Sequence, residues 1–203
     1  GVNVIELEGI QNARIDALRI KSIAMAVKES IVAVPVQMSA EGVMAAWNAL
    51  KPAKHPRLQV CAPVSPVQME YLFHKKPEAM LASIADTLKA CRACCADVEF
   101  VADDATRSDP AFLYEAVRTA ISAGATTVTV CDTAGAMLPN EFTAFLRELH
   151  ANVPELKEIT LGVSCSMPQA LDAMFYQAME ADPDCGGVVS YNYVSGEPIT
   201  GLE

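Results

Sequence analysis

Short apolar runs alternate with longer amphipathic stretches along most of the chain, which is the pattern of repeated β/α units. The apolar runs predict seven strands, at residues 2–7, 31–36, 58–62, 98–101, 126–131, 159–163 and 188–193. Apolar residues at helical spacing predict helices at 11–29, 40–50, 77–95, 110–123, 139–151 and 168–181. Because every connection is long enough to hold a helix, we expect the strands to pair in parallel.

The segment 97–135 carries the strongest functional signal, because two successive predicted strands end in polar residues. The first strand is followed by Asp103 and Asp104, and the second by Asp132 and Thr133. A β/α barrel keeps its active site at the carboxyl ends of its strands. Acids and hydroxyls at two such ends therefore predict a functional site there.

Local signals mark the helix between those two strands. Asp109 precedes Pro110, so a carboxylate stands at the capping position and a proline at the first helical position. Gly124 follows the periodic stretch and is expected to end the helix. The bounds of this helix are thus predicted from single residues as well as from periodicity.

The segment DVEFVADDATRSDP at 97–110 and the turn DTAG at 132–135 resemble the catalytic barrel of 2-isopropylmalate synthase. That enzyme is related to homocitrate and citramalate synthases, in the DRE-TIM metallolyase superfamily of HMGL-like TIM barrels. The resemblance extends through AAWNALKPAKHPR at 45–57 to the start of the chain, and it weakens after about residue 163. It implies an α/β fold, a single incomplete TIM-barrel-type domain over residues 1–203, with seven strands and without the family's first strand.

The resembled enzymes condense acetyl-CoA with a 2-oxo acid that a divalent metal holds and polarises. The resemblance places the family's two metal-binding histidines at Ser164 and Ser166, and serine hydroxyls are poor ligands for such a metal. Gln37 stands where the family carries a substrate-binding arginine, and Gln68 stands where it carries a further histidine. The family's first strand, with its metal-binding aspartate and substrate-binding arginine, has no counterpart. We therefore expect no bound metal and no other cofactor.

Other family positions keep their residue type. Asp103, Asp132 and Thr133 are the residual candidate catalytic positions, and the resemblance suggests substrate-binding roles for Glu6, Arg107 and Thr133. Asp103 is one methylene shorter than the glutamate that the family carries there. These residues have a second interpretation, since acids, hydroxyls and arginine can also tie a loop together by side-chain hydrogen bonds. The sequence leaves both interpretations open.

Two hypotheses of function follow from this pattern of retention and loss. In the first, the protein is a catalytically inactive, metal-free homologue that binds a small molecule or another subunit. In the alternative, it is a working acyltransferase of leucine-type biosynthesis whose site is completed by a partner chain or by displaced residues. The lost metal-binding positions favour the first hypothesis.

Composition narrows the classes of partner and the compartment. The net charge of −10 argues against nucleic acid as a partner, because phosphate binding needs a basic face. No apolar run reaches the roughly 18–20 residues of a membrane helix, so no membrane partner is expected. Seven cysteines, set in apolar strands and helices, indicate free thiols in a reducing cytoplasm.

The absent first strand also bears on association. The predicted strands at 2–7 and 188–193 would each lack one neighbour, and an unpaired strand edge invites pairing with another chain. We therefore expect a homodimer, or a complex with a partner protein, through one of these edge strands or a helix beside it.

Overall fold

One parallel sheet organises the protein. The structure, a computed structural model, describes residues 2–165 and the backbone of residues 189–190. The strands are β1 (Val4–Glu6), β2 (Ile31–Pro35), β3 (Pro56–Pro63), β4 (Val98–Asp103), β5 (Thr127–Asp132), β6 (Thr160–Cys165) and β7 (Val189–Ser190). They lie side by side in chain order, and every neighbouring pair is parallel. This is the topology of a β/α barrel, so the predicted TIM-barrel-type array is confirmed.

Helices alternate with the strands. They are α1 (Ile15–Ala26), α2 (Ala40–Leu50), α3 (Pro66–Tyr71), α4 (Pro77–Cys94), α5 (Pro110–Ser122) and α6 (Pro139–Asn152), with short 3-10 helices at Ala105–Arg107 and Pro154–Glu158. Among the residues described, no helix is long and apolar enough to cross a bilayer. The predicted helix at 168–181 lies outside the described residues.

Two helices differ from the prediction for local reasons. Helix α1 begins later than predicted because the Asp16 carboxylate accepts hydrogen bonds from the backbone N–H groups of Gln11 and Asn12, at 2.8 and 2.6 Å, which holds them in a turn. Helix α3 was not predicted, although Ser65 caps it and Pro66 is its first residue. A serine–proline pair after a strand is thus a start signal that periodicity alone overlooks.

Both predicted bounds of α5 are confirmed. The Asp109 Oδ1 atom accepts a hydrogen bond from the backbone N–H of Phe112 at 3.0 Å, and Pro110 is the first helical residue. Gly124 has a φ of +104°, a backbone conformation that side chains with a Cβ atom avoid. Cap, proline and glycine thus define this helix from its own sequence.

The two faces of the sheet differ in character, because alternate residues of a strand point to opposite faces. One set packs against the helices and includes the fully buried Val60 and Phe100. The other set includes a polar group at the middle of the sheet, where Glu99 accepts hydrogen bonds from Gln59 Nε2 at 3.0 Å and from Thr129 Oγ1 at 2.6 Å. The main hydrophobic core therefore lies between sheet and helices, and polar groups line the inner face.

Candidate functional site

Inner-face side chains at the carboxyl ends of the strands form the candidate site. We call this set the sheet mouth, and its members are Glu6 of β1, Cys61 of β3, Asp103 of β4, Cys131 of β5 and Ser164 of β6. The strand register pairs Cys131 with Ser164, and these two side chains are hydrogen-bonded. Parallel pairing brings all of these strand ends to one edge of the sheet, as we expected from the polar residues at the ends of the predicted strands.

The pKa values of Asp103 and of the two thiols in the sheet mouth are raised above their ordinary values. Burial, then the nearby Asp104 and Glu6 carboxylates, raise the pKa of Asp103 to about 6. Burial, followed by the charge of Asp103, raises the pKa of the Cys61 and Cys131 thiols well above its ordinary value. Both thiols are therefore uncharged at neutral pH, and Asp103 titrates close to it.

No basic residue of the described strands lies in the sheet mouth. Arg57 is the one basic residue of the described strands β1–β6, and it stands toward the amino ends of the sheet. Its guanidinium pairs with Asp97 at 3.0 Å and with Glu99 at 3.6 Å. Gln37, which follows β2, donates from Nε2 to the carbonyl of Ile10 at 3.1 Å. The sheet mouth thus has carboxyl, thiol and hydroxyl groups without a strand-borne cation.

The polar loop after β4 is closed by Asp104, which is fully buried and has a φ of +60°. Its carboxylate accepts two hydrogen bonds from Arg107, each at 2.7 Å, and one from the Ser65 hydroxyl at 2.5 Å. Its backbone N–H donates to Thr133 Oγ1 at 2.9 Å. One residue therefore connects the ends of β3, β4 and β5.

Asp132 makes the second half of this connection. Its buried carboxylate accepts hydrogen bonds from Thr106 Oγ1 at 2.7 Å and from the backbone N–H groups of Ala136 and Met137, at 3.2 and 3.0 Å. We call the combined network the strand-end tie; its members are Ser65, Asp104, Thr106, Arg107, Asp132 and Thr133. The tie holds neighbouring strand ends to one another, while Asp109 caps the following helix.

The residues singled out from sequence thus fall into two groups. Asp103, Glu6 and Ser164 come together in the sheet mouth, whereas Asp132, Thr133 and Arg107 belong to the strand-end tie. The residue at 166 lies outside the described residues. Sequence reasoning overlooked the two thiols of the mouth, although both occupy alternate positions of apolar strands that share a face with Asp103.

The donors in the sheet mouth do not fit the divalent metal that the resemblance implies. Within residues 2–165, no three His, Cys, Asp or Glu side chains are grouped so that they could hold a metal ion. The thiols are protonated at neutral pH, and the Ser164 hydroxyl is a neutral ligand. Hard divalent ions prefer several carboxylate oxygens, and the mouth offers only Asp103 and Glu6, which are not grouped with a third such donor. Softer ions prefer thiolate or imidazole, and the thiols here are protonated, so neither class is matched.

Comparison with known proteins agrees with the fold. The sequence matches the family model described as HMGL-like over residues 1–166. It is 33% identical over 164 residues to 2-isopropylmalate synthase of Clostridium kluyveri, covering 81% of this chain and 32% of that protein. It is 36% identical over 124 residues to methylthioalkylmalate synthase 1-1, chloroplastic, of Eutrema japonicum, covering 61% and 24%. The chain thus spans about a third or less of the curated relatives it matches.

Two solved structures share the fold at low sequence identity. The HMG-CoA lyase of Bacillus subtilis superposes with a TM-score of 0.70 at 16% identity, over 94% of this chain and 64% of that one. The hydroxymethylglutaryl-CoA lyase of Pseudomonas aeruginosa gives a TM-score of 0.65 at 14% identity, over 95% and 76%. At these identities the likeness concerns the arrangement of strands and helices alone.

Proposed function

This chain belongs to the HMGL-like family, and from that premise we propose that it is a catalytically inactive, metal-free homologue of the 2-isopropylmalate synthase barrel. One observation carries the proposal. Ser164 takes the place of a metal-binding histidine in the resembled enzymes, and it lies in the sheet mouth hydrogen-bonded to the protonated thiol of Cys131. A neutral hydroxyl beside a neutral thiol supplies little to hold a divalent cation.

The charge of the sheet mouth supports the same conclusion for the substrate. Condensation of a 2-oxo acid requires a Lewis acid at the oxo group and a cation for the carboxylate. Gln37 stands where the resemblance places an arginine, and its amide is committed to the Ile10 carbonyl. The Asp103 carboxyl adds negative charge as the pH rises through about 6, which disfavours an anionic ligand. An uncharged or cationic small molecule fits this mouth better.

Metal titration tests the first half of the proposal. We expect calorimetry with Mn²⁺, Mg²⁺ and Zn²⁺ to show no stoichiometric site of micromolar or better affinity. The variants Asp103→Ala and Asp132→Ala serve as site variants, and Asp86→Ala, an exposed acid on α4, is the matched control. A micromolar site that is lost in either site variant and kept in the control would overturn the metal-free assignment.

An activity assay tests the proposal that the protein is catalytically inactive. We expect no release of free CoA thiol from acetyl-CoA with 2-oxoisovalerate or other 2-oxo acids. The alternative, a working acyltransferase completed by a partner chain or by displaced residues, draws support from the intact strand-end tie, which holds the ends of β3, β4 and β5 in register. The assay is therefore repeated after co-expression with an adjacent reading frame. Metal-dependent turnover in either preparation would favour that alternative.

We also propose association through the β1 edge, as a homodimer or with a partner protein. Among the described residues β1 pairs with β2 only, and α1 beside it exposes Ile15, Leu18 and Met25 at 65%, 66% and 50%. A strand with a described neighbour on one side only, together with exposed apolar side chains, favours contact with another chain. Light scattering at micromolar concentration is expected to give a dimer mass. A monomer whose β1 amides are protected from hydrogen exchange would contradict this proposal.

A cytoplasmic location and a single domain over residues 1–203 complete the proposal. The six cysteines of the described region are free thiols, which suits a reducing compartment. Alkylation of the protein in cell extracts, followed by mass spectrometry, is expected to find these thiols reduced. Intermolecular or intramolecular disulfides in freshly lysed cells would argue against the cytoplasm.

A further inference from the structure

A second concave surface lies outside the sheet, next to its carboxyl edge. It is a cavity of about 720 Å³ between the α3–α4 connection and the first turns of α5. Met69 and Phe112 form its floor and are 3% and 9% exposed, and Pro66, Pro77 and Ala111 form its apolar walls. We call it the α3–α5 cavity. Its volume is within the range of about 300–1,000 Å³ that ligand sites occupy.

The rim of this cavity carries both signs of charge on different elements. The α3–α4 connection contributes His74, Lys75 and Lys76. Helix α3 contributes Glu70, and α5 with its capping residue contributes Glu115 and Asp109. The Lys75 amine donates to the Ser83 hydroxyl at 2.7 Å, and Asp109 caps α5, so these two are partly committed. Lys76 on one element and Glu115 on another remain exposed. Such a rim is complementary to a ligand that itself carries both charges.

Exposed apolar side chains also lie on α3 and in the turn after it, within residues 66–74, which supply part of the cavity lining. Four of the ten exposed large apolar side chains in the described region lie within residues 67–73, so apolar exposure is concentrated beside the cavity. These side chains are Val67, Tyr71, Leu72 and Phe73, exposed at 54%, 69%, 67% and 43%. Contiguous apolar surface with a polar rim marks sites of protein interaction. Aromatic residues in particular supply binding energy at such sites.

We propose that the α3–α5 cavity and the adjoining α3 surface bind a peptide segment of a partner protein, with apolar side chains flanked by one basic and one acidic residue. An apolar side chain would enter the cavity against Met69 and Phe112. The acidic residue would lie near Lys76, and the basic residue near Glu115. The surface extends beyond the cavity, so a segment of several residues matches it better than a compact small molecule does. This surface is separate from the sheet mouth and does not depend on whether the mouth is catalytic.

Capped pentapeptides provide the probe. The peptides Lys-Leu-Leu-Phe-Glu and Glu-Leu-Leu-Phe-Lys are titrated into isotopically labelled protein, and amide shifts are followed by nuclear magnetic resonance. At least one order of charges is expected to shift the amides of lining residues. It should bind about fivefold more tightly than the uncharged Gln-Leu-Leu-Phe-Gln, which corresponds to about 1 kcal/mol from exposed ion pairs. Replacing the apolar residues by serine should abolish the shifts.

Variants then locate the site. Ala111→Trp fills the cavity from an exposed wall position and is expected to abolish binding, whereas Ala79→Trp, on the exposed first turn of α4 and outside the cavity lining, is the matched control. Lys76→Glu is expected to weaken the preferred peptide about fivefold without perturbing the fold. Unchanged binding in both Ala111→Trp and Lys76→Glu would overturn the proposal. So would shifts that appear with the apolar anion 8-anilinonaphthalene-1-sulfonate and with none of the peptides.

Discussion

Replacing Asp104 by alanine should test whether the strand-end tie is a structural device. The Asp104 side chain is fully buried, and its carboxylate holds the hydroxyl of the equally buried Ser65 and the guanidinium of Arg107. Its φ of +60° adds a backbone requirement, because only glycine, asparagine and aspartate adopt that region readily. The substitution therefore removes an acceptor and strains the chain at the same residue.

The size of the effect follows from these two terms. A buried Ser65 hydroxyl without its acceptor costs about 1–3 kcal/mol. Alanine in the left-handed region adds about 1 kcal/mol. The Arg107 side chain is 47% exposed and returns to water, so its pairing is left out of the sum. The expected loss is about 2–4 kcal/mol, or a shift of about 1–2 M in the urea midpoint for a typical slope.

Urea unfolding followed by circular dichroism measures this loss, and three further variants separate its causes. Asp104→Asn keeps one acceptor oxygen and tolerates the backbone, so it should lose least. Asp104→Gly removes the acceptor and relieves the backbone, so it should be more stable than Asp104→Ala. The exposed Asp86→Ala is the control and should change stability by no more than about 0.5 kcal/mol. The reasoning is refuted if Asp104→Ala unfolds with the wild-type protein, or if glycine is worse than alanine.

Three further predictions concern single residues. Burial is the main cause that raises the pKa of Asp103 to about 6 in the folded state, so its contribution to stability is complete below pH 4 and is lost as the pH rises through 6. In urea unfolding, the stability of Asp103→Asn relative to the wild type should therefore rise by about 2 kcal/mol between pH 4 and 7.5. Parallel pH profiles of the two proteins would contradict this. Asp109→Ala should lose about 1 kcal/mol of unfolding free energy, whereas Asp109→Ser, whose hydroxyl can also cap the helix, should lose almost none. Equal losses would argue against the capping bond. Gly42→Ala should lower the thermal midpoint and cost about 1–3 kcal/mol, because its Cβ would lie 2.6 Å from the Gln37 carbonyl oxygen; an unchanged midpoint would show that α2 shifts freely.

Much of the candidate site could be located from sequence, since polar residues after successive parallel strands must meet at one edge of the sheet. Which of these residues lies in the sheet mouth and which in the strand-end tie could not be predicted from sequence. Asp103 and Asp104 are adjacent and chemically identical, yet one side chain lies in the sheet mouth and the other in the strand-end tie. The last residue of β4 still follows the strand alternation, whereas the next one turns to positive φ and directs its carboxylate to Ser65. That turn depends on Ser65 and Thr133, which follow β3 and β5 and are distant in sequence.

The sequence by itself determined the order and type of the elements, because strand alternation, helical periodicity and the Asp109 cap are properties of neighbouring residues. It also determined the family, through the spacing of the segment 97–135. Only the tertiary structure decided which side chains share a surface. Strand register placed the Cys61 and Cys131 thiols beside Asp103, and burial there set their protonation. Register and burial arise from contacts between residues far apart in the chain, so no local pattern encodes them.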